Sequence, residues 1–147
     1  MEVNVKKISK NAVLPKRGSK KSAGYDLYAL VDNMYKYKVI MPHETEKINT
    51  GLAFQPPKGY FGAIFARSGL ATKHGIRPAN CVGVCDEDYT GEYIVALHND
   101  SDDPMTIKNG DRIAQLVFLP YFDVDFVEAD NFENTERGSS GFGSTGK

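Results

Sequence analysis

Asn80-Cys81-Val82-Gly83-Val84-Cys85-Asp86-Glu87-Asp88-Tyr89-Thr90-Gly91 brings thiols, carboxylates and a phenol into one short segment. An apolar run ending in three acids and a Tyr-x-Gly turn has the pattern of a β-hairpin with carboxylates at its tip. A carboxylate there could orient or deprotonate water, or ligate magnesium. The same residues equally make a solvated acidic turn. Ala66-Arg67-Ser68-Gly69-Leu70 is also ambiguous. Arg67 and Ser68, at a strand end opening a short helix, could grip phosphate or simply cap that helix. Asp26, inside Ala23-Gly24-Tyr25-Asp26-Leu27-Tyr28-Ala29, and Gln115, inside Ile113–Phe118, are polar groups in strand-like stretches and by default face solvent.

The tail, Arg137-Gly138-Ser139-Ser140-Gly141-Phe142-Gly143-Ser144-Thr145-Gly146-Lys147, satisfies G-x-G-x-x-G and the first part of a Walker A pattern. Both mechanisms place phosphate at the N-terminus of a following helix. The sequence stops at Lys147, so the dinucleotide and P-loop readings are rejected. Gly still lets backbone N–H groups approach an anion closely, and Arg137, Ser144 and Thr145 could donate to it. Phe142 among glycines offers a face for stacking on a base. By composition the tail is a flexible arm, or a lid ordered by substrate.

The elements that must position these residues read as short strands. Val3, Val5 and Ile8 suggest a first one. Tyr35–Ile40, Lys47–Phe54, Tyr60–Ala66, Tyr93–His98, Met105–Lys108 and Arg112–Leu119 follow, rich in β-branched and aromatic residues. Turn-forming clusters such as 55–59, 98–104 and 108–111 separate them. Many short strands at near-regular spacing predict an all-β sandwich, jelly roll or barrel with at most one short helix, near Ser68–His74. Residues 1–136 read as one β domain and 137–147 as its C-terminal arm.

At 147 residues, with 41% apolar and 25% charged, the chain has the composition of one globular domain, and no apolar run approaches a membrane span. A formal charge of −1, from 18 basic and 19 acidic residues, gives no field for gripping polymeric nucleic acid. Lys6, Lys7, Lys10, Lys16, Arg17, Lys20 and Lys21 face only Glu2 in the first 21 residues, a basic start read as a solvated strand edge and loop. Cys81 and Cys85, four apart on a strand, stand ~13 Å apart, too far for a disulfide. Two free thiols and no leader suggest a reducing, cytoplasmic setting, or a nucleus if the source is eukaryotic or viral. His43, His74 and His98 show no zinc spacing.

Five segments, Ala23–Ala29, Ala66–Ala71, Asn80–Val95, Gly110–Phe118 and Arg137–Gly146, resemble in content and order the five motifs of the homotrimeric dUTP diphosphatase (dUTPase) family. The resemblance spans nearly the whole chain, and the Phe-bearing glycine tail is its most diagnostic part. Three departures remove no functional group. Ala66 stands where the family commonly has Pro, Cys85 where Ile or Val usually precedes the first Asp, and Ser140 where Gly is frequent.

The resemblance implies a jelly-roll β-barrel, a homotrimer with shared active sites, and Mg²⁺-assisted hydrolysis of dUTP to dUMP and pyrophosphate. It places Asp86 as the base activating a water for attack on the α-phosphorus. It also implies that Arg67, Ser68, Gly69 and Gln115 contact phosphate, with Arg137, Gly143, Ser144 and Thr145 doing so from the tail. Asp26 would steady a substrate-borne Mg²⁺ through water. Asn80, Gly83 and Val84 lie in the stretch offered to the uracil edge, Tyr89 packs under the deoxyribose, and Phe142 stacks on the base. Related dCTP deaminases use a Glu base and lack the Phe-bearing tail, so Asp86 and Phe142 discriminate against that activity. A regulatory interaction protein of this type would ordinarily carry an inserted segment, and none is obvious here.

Overall fold

The structure is a computed structural model and describes residues 1–141. Phe142, Gly143, Ser144 and Thr145, singled out above, lie outside the described residues. Twelve strands and one helix follow in chain order: β1 (Asn4–Lys7), β2 (Lys16–Arg17), β3 (Tyr25–Tyr28), β4 (Tyr37–Ile40), β5 (Thr45–Ile48), β6 (Leu52–Gln55), β7 (Tyr60–Phe65), α1 (Ser68–His74), β8 (Ile76–Pro78), β9 (Val82–Cys85), β10 (Val95–Asn99), β11 (Met105–Lys108) and β12 (Arg112–Pro120). The all-β class and the single short helix are as the sequence predicts. Among the described residues the strands do not close into one hydrogen-bonded cylinder. A five-stranded sheet, β2-β3-β12-β7-β9, is joined by β5-β10-β8 and by the pairs β1-β6 and β4-β11, all antiparallel.

Strands distant in sequence pair across this jelly-roll-like arrangement because each has one apolar face to bury. β10 alternates Val95, Leu97 and Asn99 inward with Ala96 and His98 half-exposed. Leu27, Ile40, Ile48, Leu52, Ile76, Leu97, Ile107, Ile113 and Leu116 meet in one buried cluster.

The stretch expected as one strand over Lys47–Phe54 is two. Gly51 sits at φ +70, where a Cβ would lie 2.6 Å from Leu30 Cδ2. Thr50 is buried and donates its hydroxyl to the Tyr93 carbonyl at 2.7 Å. A left-handed residue at a close backbone approach ends β5 and restarts the chain as β6. Beyond Pro120 the described chain carries no strand or helix, and Phe122, Phe126 and Phe132 are exposed.

Candidate active site

One rung runs straight across the five-stranded sheet: Lys16 faces Asp26, Asp26 faces Gln115, Gln115 faces Phe65, and Phe65 faces Val82. Directly opposed residues share a sheet face. Leu27 and Leu116, their neighbours in sequence, are buried, so this rung is the outer face.

β7 ends beside the rung and hands over to α1 through Ala66 and Arg67. Arg67 is the extended N-cap residue, but no side-chain bond caps the helix. Its guanidinium instead reaches Asp26, with Nε donating to Oδ1 at 2.9 Å, while Nη1 donates to the Arg112 carbonyl at 3.1 Å. Arg112 Nη1 donates to the other Asp26 oxygen at 3.3 Å. Gln115 Nε2 donates to the Ala66 carbonyl at 2.8 Å. Asp26 therefore does not face solvent as expected. Its side chain is only 14% exposed because two guanidinium groups cover it. This cluster leaves donor edges of both arginines exposed, with Ser68 and Gly69 open beside them. It is equipped for a polyanion.

A second group of predicted residues starts beside the rung and ends at the other end of β7, because β9 runs antiparallel from Val82 opposite Phe65 to Cys85 opposite Gly62. Asn80 is exposed, and Cys81 at φ +60 turns the chain into β9. β9 is the sheet's edge, with Gly83 buried and Val84 exposed. The expected hairpin is absent among the described residues. β9 pairs with β7, and the chain after the acids crosses to β10 in another sheet. The cause is Tyr93. It is almost wholly buried against Phe54, ring centroids 4.7 Å apart, and its backbone N–H bonds the Leu52 carbonyl at 2.8 Å.

The turn Asp86–Tyr89, closed by the Tyr89 N–H on the Asp86 carbonyl at 3.1 Å, separates the three acids. The Asp86 carboxylate is exposed and takes no hydrogen bond among the described residues, while Asp88 is exposed beside it. Glu87 is tied to the Gly59 N–H and the Tyr121 hydroxyl, which, with Gly59 the larger influence, hold its carboxyl below the usual range. Tyr89 stacks on Tyr93 at 6.1 Å and donates its hydroxyl to the Glu92 carbonyl at 3.1 Å, so its ring is fixed while staying 45% exposed. Burial pushes the Cys85 thiol up to about 11 and raises Tyr93 further. A hollow of about 480 Å³ is lined by Phe61, Val84, Asp86, Glu87, Asp88 and Tyr121.

The two clusters do not converge within one chain. Gln115 lies one strand to one side of Phe65. Asp86 follows Cys85, which faces Gly62 one strand to the other side. Two strand spacings across and about four residues along β7 put them on the order of 15 Å apart. Arg137 reaches neither, since its Nε donates to the Ser140 carbonyl at 3.0 Å within its own segment.

Arg112 is the residue that sequence reasoning missed. Its signal was a basic residue opening the strand that carries Gln115, yet its partner is 86 positions away.

A family model described as dUTPase matches residues 10–146. A deoxyuridine 5'-triphosphate nucleotidohydrolase of Desulfitobacterium hafniense (strain DSM 10664 / DCB-2) is 49% identical over 134 residues, covering 90% of this chain and 87% of that protein. One from Nautilia profundicola is 43% identical across 100% of both chains. Among solved structures, the Staphylococcus bacteriophage 80alpha dUTPase with dUPNHPP superposes with a TM-score of 0.87 at 30% identity, covering 99% of each chain. A mutant dUTPase from phage phi11 of S. aureus, in which coordination of a structural Mg(II) ion is described, gives 0.79 at 25% identity, covering 91% of this chain and 100% of that one.

Proposed function

The chain belongs to the dUTPase family and is a dUTP diphosphatase, and on that premise we propose how its residues divide the work of converting dUTP to dUMP and pyrophosphate. The observation that carries the proposal is the separation of two half-sites at opposite ends of β7, one basic and one bearing an unpaired carboxylate. Each active site is then assembled from copies of the chain in a homotrimer. One copy supplies the Asp86 turn, a second the Arg67–Gln115 cluster, and a third the tail with Arg137, Phe142, Gly143, Ser144 and Thr145. The exposed Phe122, Phe126 and Phe132 support assembly, because large apolar side chains in series mark an association surface.

Asp86 holds a water and accepts its proton as the water oxygen bonds the α-phosphorus. The bond from that phosphorus to the bridging oxygen breaks, and pyrophosphate leaves. Arg67, Arg112, Ser68, Gly69 and Gln115 bind and align the phosphates, the larger part of such catalysis. The open edge of β9, with Asn80, Gly83 and Val84, offers backbone groups to uracil. Cytosine would leave some of these unpaired, and a thymine methyl would collide. Tyr89, held flat by Tyr93, packs beneath the deoxyribose, where a 2′-hydroxyl meets carbon and finds no partner.

Magnesium fits this donor set in one way. Among the described residues no three His, Cys, Asp or Glu side chains form a cage. Each Asp26 oxygen already accepts one guanidinium N–H and keeps a lone pair for water. Asp26 would thus hold a hydrated ion borne by the substrate phosphates. When bound, the ion neutralises triphosphate charge. The product role proposed is removal of dUTP and supply of dUMP for thymidylate synthesis, in the cytoplasm. No helix among the described residues is long and apolar enough to cross a membrane.

Pyrophosphate release from dUTP, dCTP, dTTP and UTP, with and without Mg²⁺, tests the activity. Mixing separately inactive Asp86→Asn and Arg67→Ala chains tests the assembly. Reassembled mixtures should regain activity, because some sites then combine two intact halves, and mixtures as dead as their parents would refute the shared site.

A further inference from the structure

Three segments meet in a closed triangle of hydrogen bonds beside Asp86. Tyr121, the first residue after β12, donates its backbone N–H to the Gly59 carbonyl at 3.1 Å. Gly59, in the turn entering β7, donates its N–H to Glu87 Oε2 at 2.6 Å. The same oxygen accepts the Tyr121 hydroxyl at 2.8 Å. Gly59 holds φ +80, so this turn is locally constrained as well. Asp86 leaves β9 without a return strand to hold it, since the acidic turn projects from a sheet edge. Glu87 is its neighbour in sequence and the only one of the three acids whose carboxylate is anchored among the described residues. Tyr121 also roots the segment that leads to Arg137.

We propose that Glu87 is a positioning residue: clamped by Gly59 and Tyr121, it fixes the turn that presents Asp86 and couples that turn to the root of the C-terminal segment. The inference rests on Asp86 being the base. It follows from geometry, because one oxygen serves both donors and an edge turn without cross-strand bonds has few other restraints. An amide oxygen at this place also accepts two hydrogen bonds, so the clamp depends on the acceptor and not on the negative charge.

Steady-state kinetics on Tyr121→Phe, Glu87→Ala, Glu87→Gln and the Tyr121→Phe/Glu87→Ala pair tests it, each also in an Asp86→Asn background. Tyr121→Phe and Glu87→Ala should each lower kcat about tenfold, a fraction of what a ~1 Å misplacement can cause, with KM for dUTP within about twofold. Glu87→Gln should recover most of kcat. The pair should be no worse than Glu87→Ala, since both changes open the same triangle, and neither change should lower the residual rate of Asp86→Asn. Unchanged kcat in Tyr121→Phe and Glu87→Ala beside an inactive Asp86→Asn would overturn the clamp and leave the base in place, as would a loss confined to KM. A fully active Asp86→Asn would overturn the base assignment and the clamp with it.

Discussion

Gly24→Ala adds a single methyl next to the phosphate-facing rung. A Cβ there would lie 2.4 Å from Gln115 Oε1 and 3.2 Å from Gln115 Cβ and Cδ. Ordinary heavy-atom contact is ~3.5 Å or more, so the amide must retreat by about 1 Å. A retreat of that size breaks the 2.8 Å bond from Gln115 Nε2 to the Ala66 carbonyl. Losing that bond costs ~0.5–1.5 kcal/mol, and an off-rotamer side chain a further ~0.5–1.5 kcal/mol. The sum, ~1–3 kcal/mol, lowers Tm by several degrees, at ~2–4 °C per kcal/mol for chains of about this size. It also swings Gln115 away from the phosphates, so kcat/KM for dUTP should fall by ~5–100-fold. Thermal denaturation and pyrophosphate release read the two effects separately. In a Gln115→Ala background most of the stability cost should vanish, because the methyl then enters vacated space. Wild-type Tm and kcat/KM in Gly24→Ala, or full additivity with Gln115→Ala, would refute this account of the site.

Gly91→Ala should relax sugar discrimination, since a Cβ there would come within 2.5 Å of the Tyr89 hydroxyl and 2.6 Å of its ring. The rate of UTP relative to dUTP should rise, and an unchanged ratio would count against Tyr89 as the sugar platform. Tyr93→Phe should leave stability equal or higher by about 1 kcal/mol, because the buried hydroxyl has no hydrogen-bond partner among the described residues, only the weakly bonding Cys85 thiol beside it. A fall in Tm of several degrees would show that hydroxyl to be satisfied. Stability should also be lost at high pH through Cys85. Its folded value of about 11 lies above the thiol's ordinary 9.0, so its contribution is full below about pH 9 and disappears as pH rises through about 11. Cys85→Val should flatten Tm over that window, and iodoacetamide at pH 8 should modify exposed Cys81 well before Cys85.

Local structure was legible from the residues alone. Ser68–His74 forms the predicted helix and Met105–Lys108 the predicted strand, because turn residues and side-chain pattern settle such short elements without distant help. Asp26, Arg67, Asp86, Tyr89 and Gln115 could be singled out only through the resemblance of five motifs in order, since each taken singly also fits a solvated or capping role. Two features could not be foreseen. The strand expected over Lys47–Phe54 breaks at Gly51, and the hairpin expected around Asp86 is an edge strand. At the first the cause is Gly51, left-handed and packed against Leu30 and Ala12, beside Thr50, whose hydroxyl is held by the Tyr93 carbonyl some forty residues away; at the second it is the burial of Tyr93 itself.

Which of three adjacent acids is anchored, and which two arginines enclose Asp26 from 41 and 86 positions away, are likewise products of packing. Side-chain type and spacing determine what chemistry the chain can offer. Only strand pairing decides which of those groups meet, because antiparallel register brings remote residues face to face while setting sequence neighbours on opposite sides of the sheet.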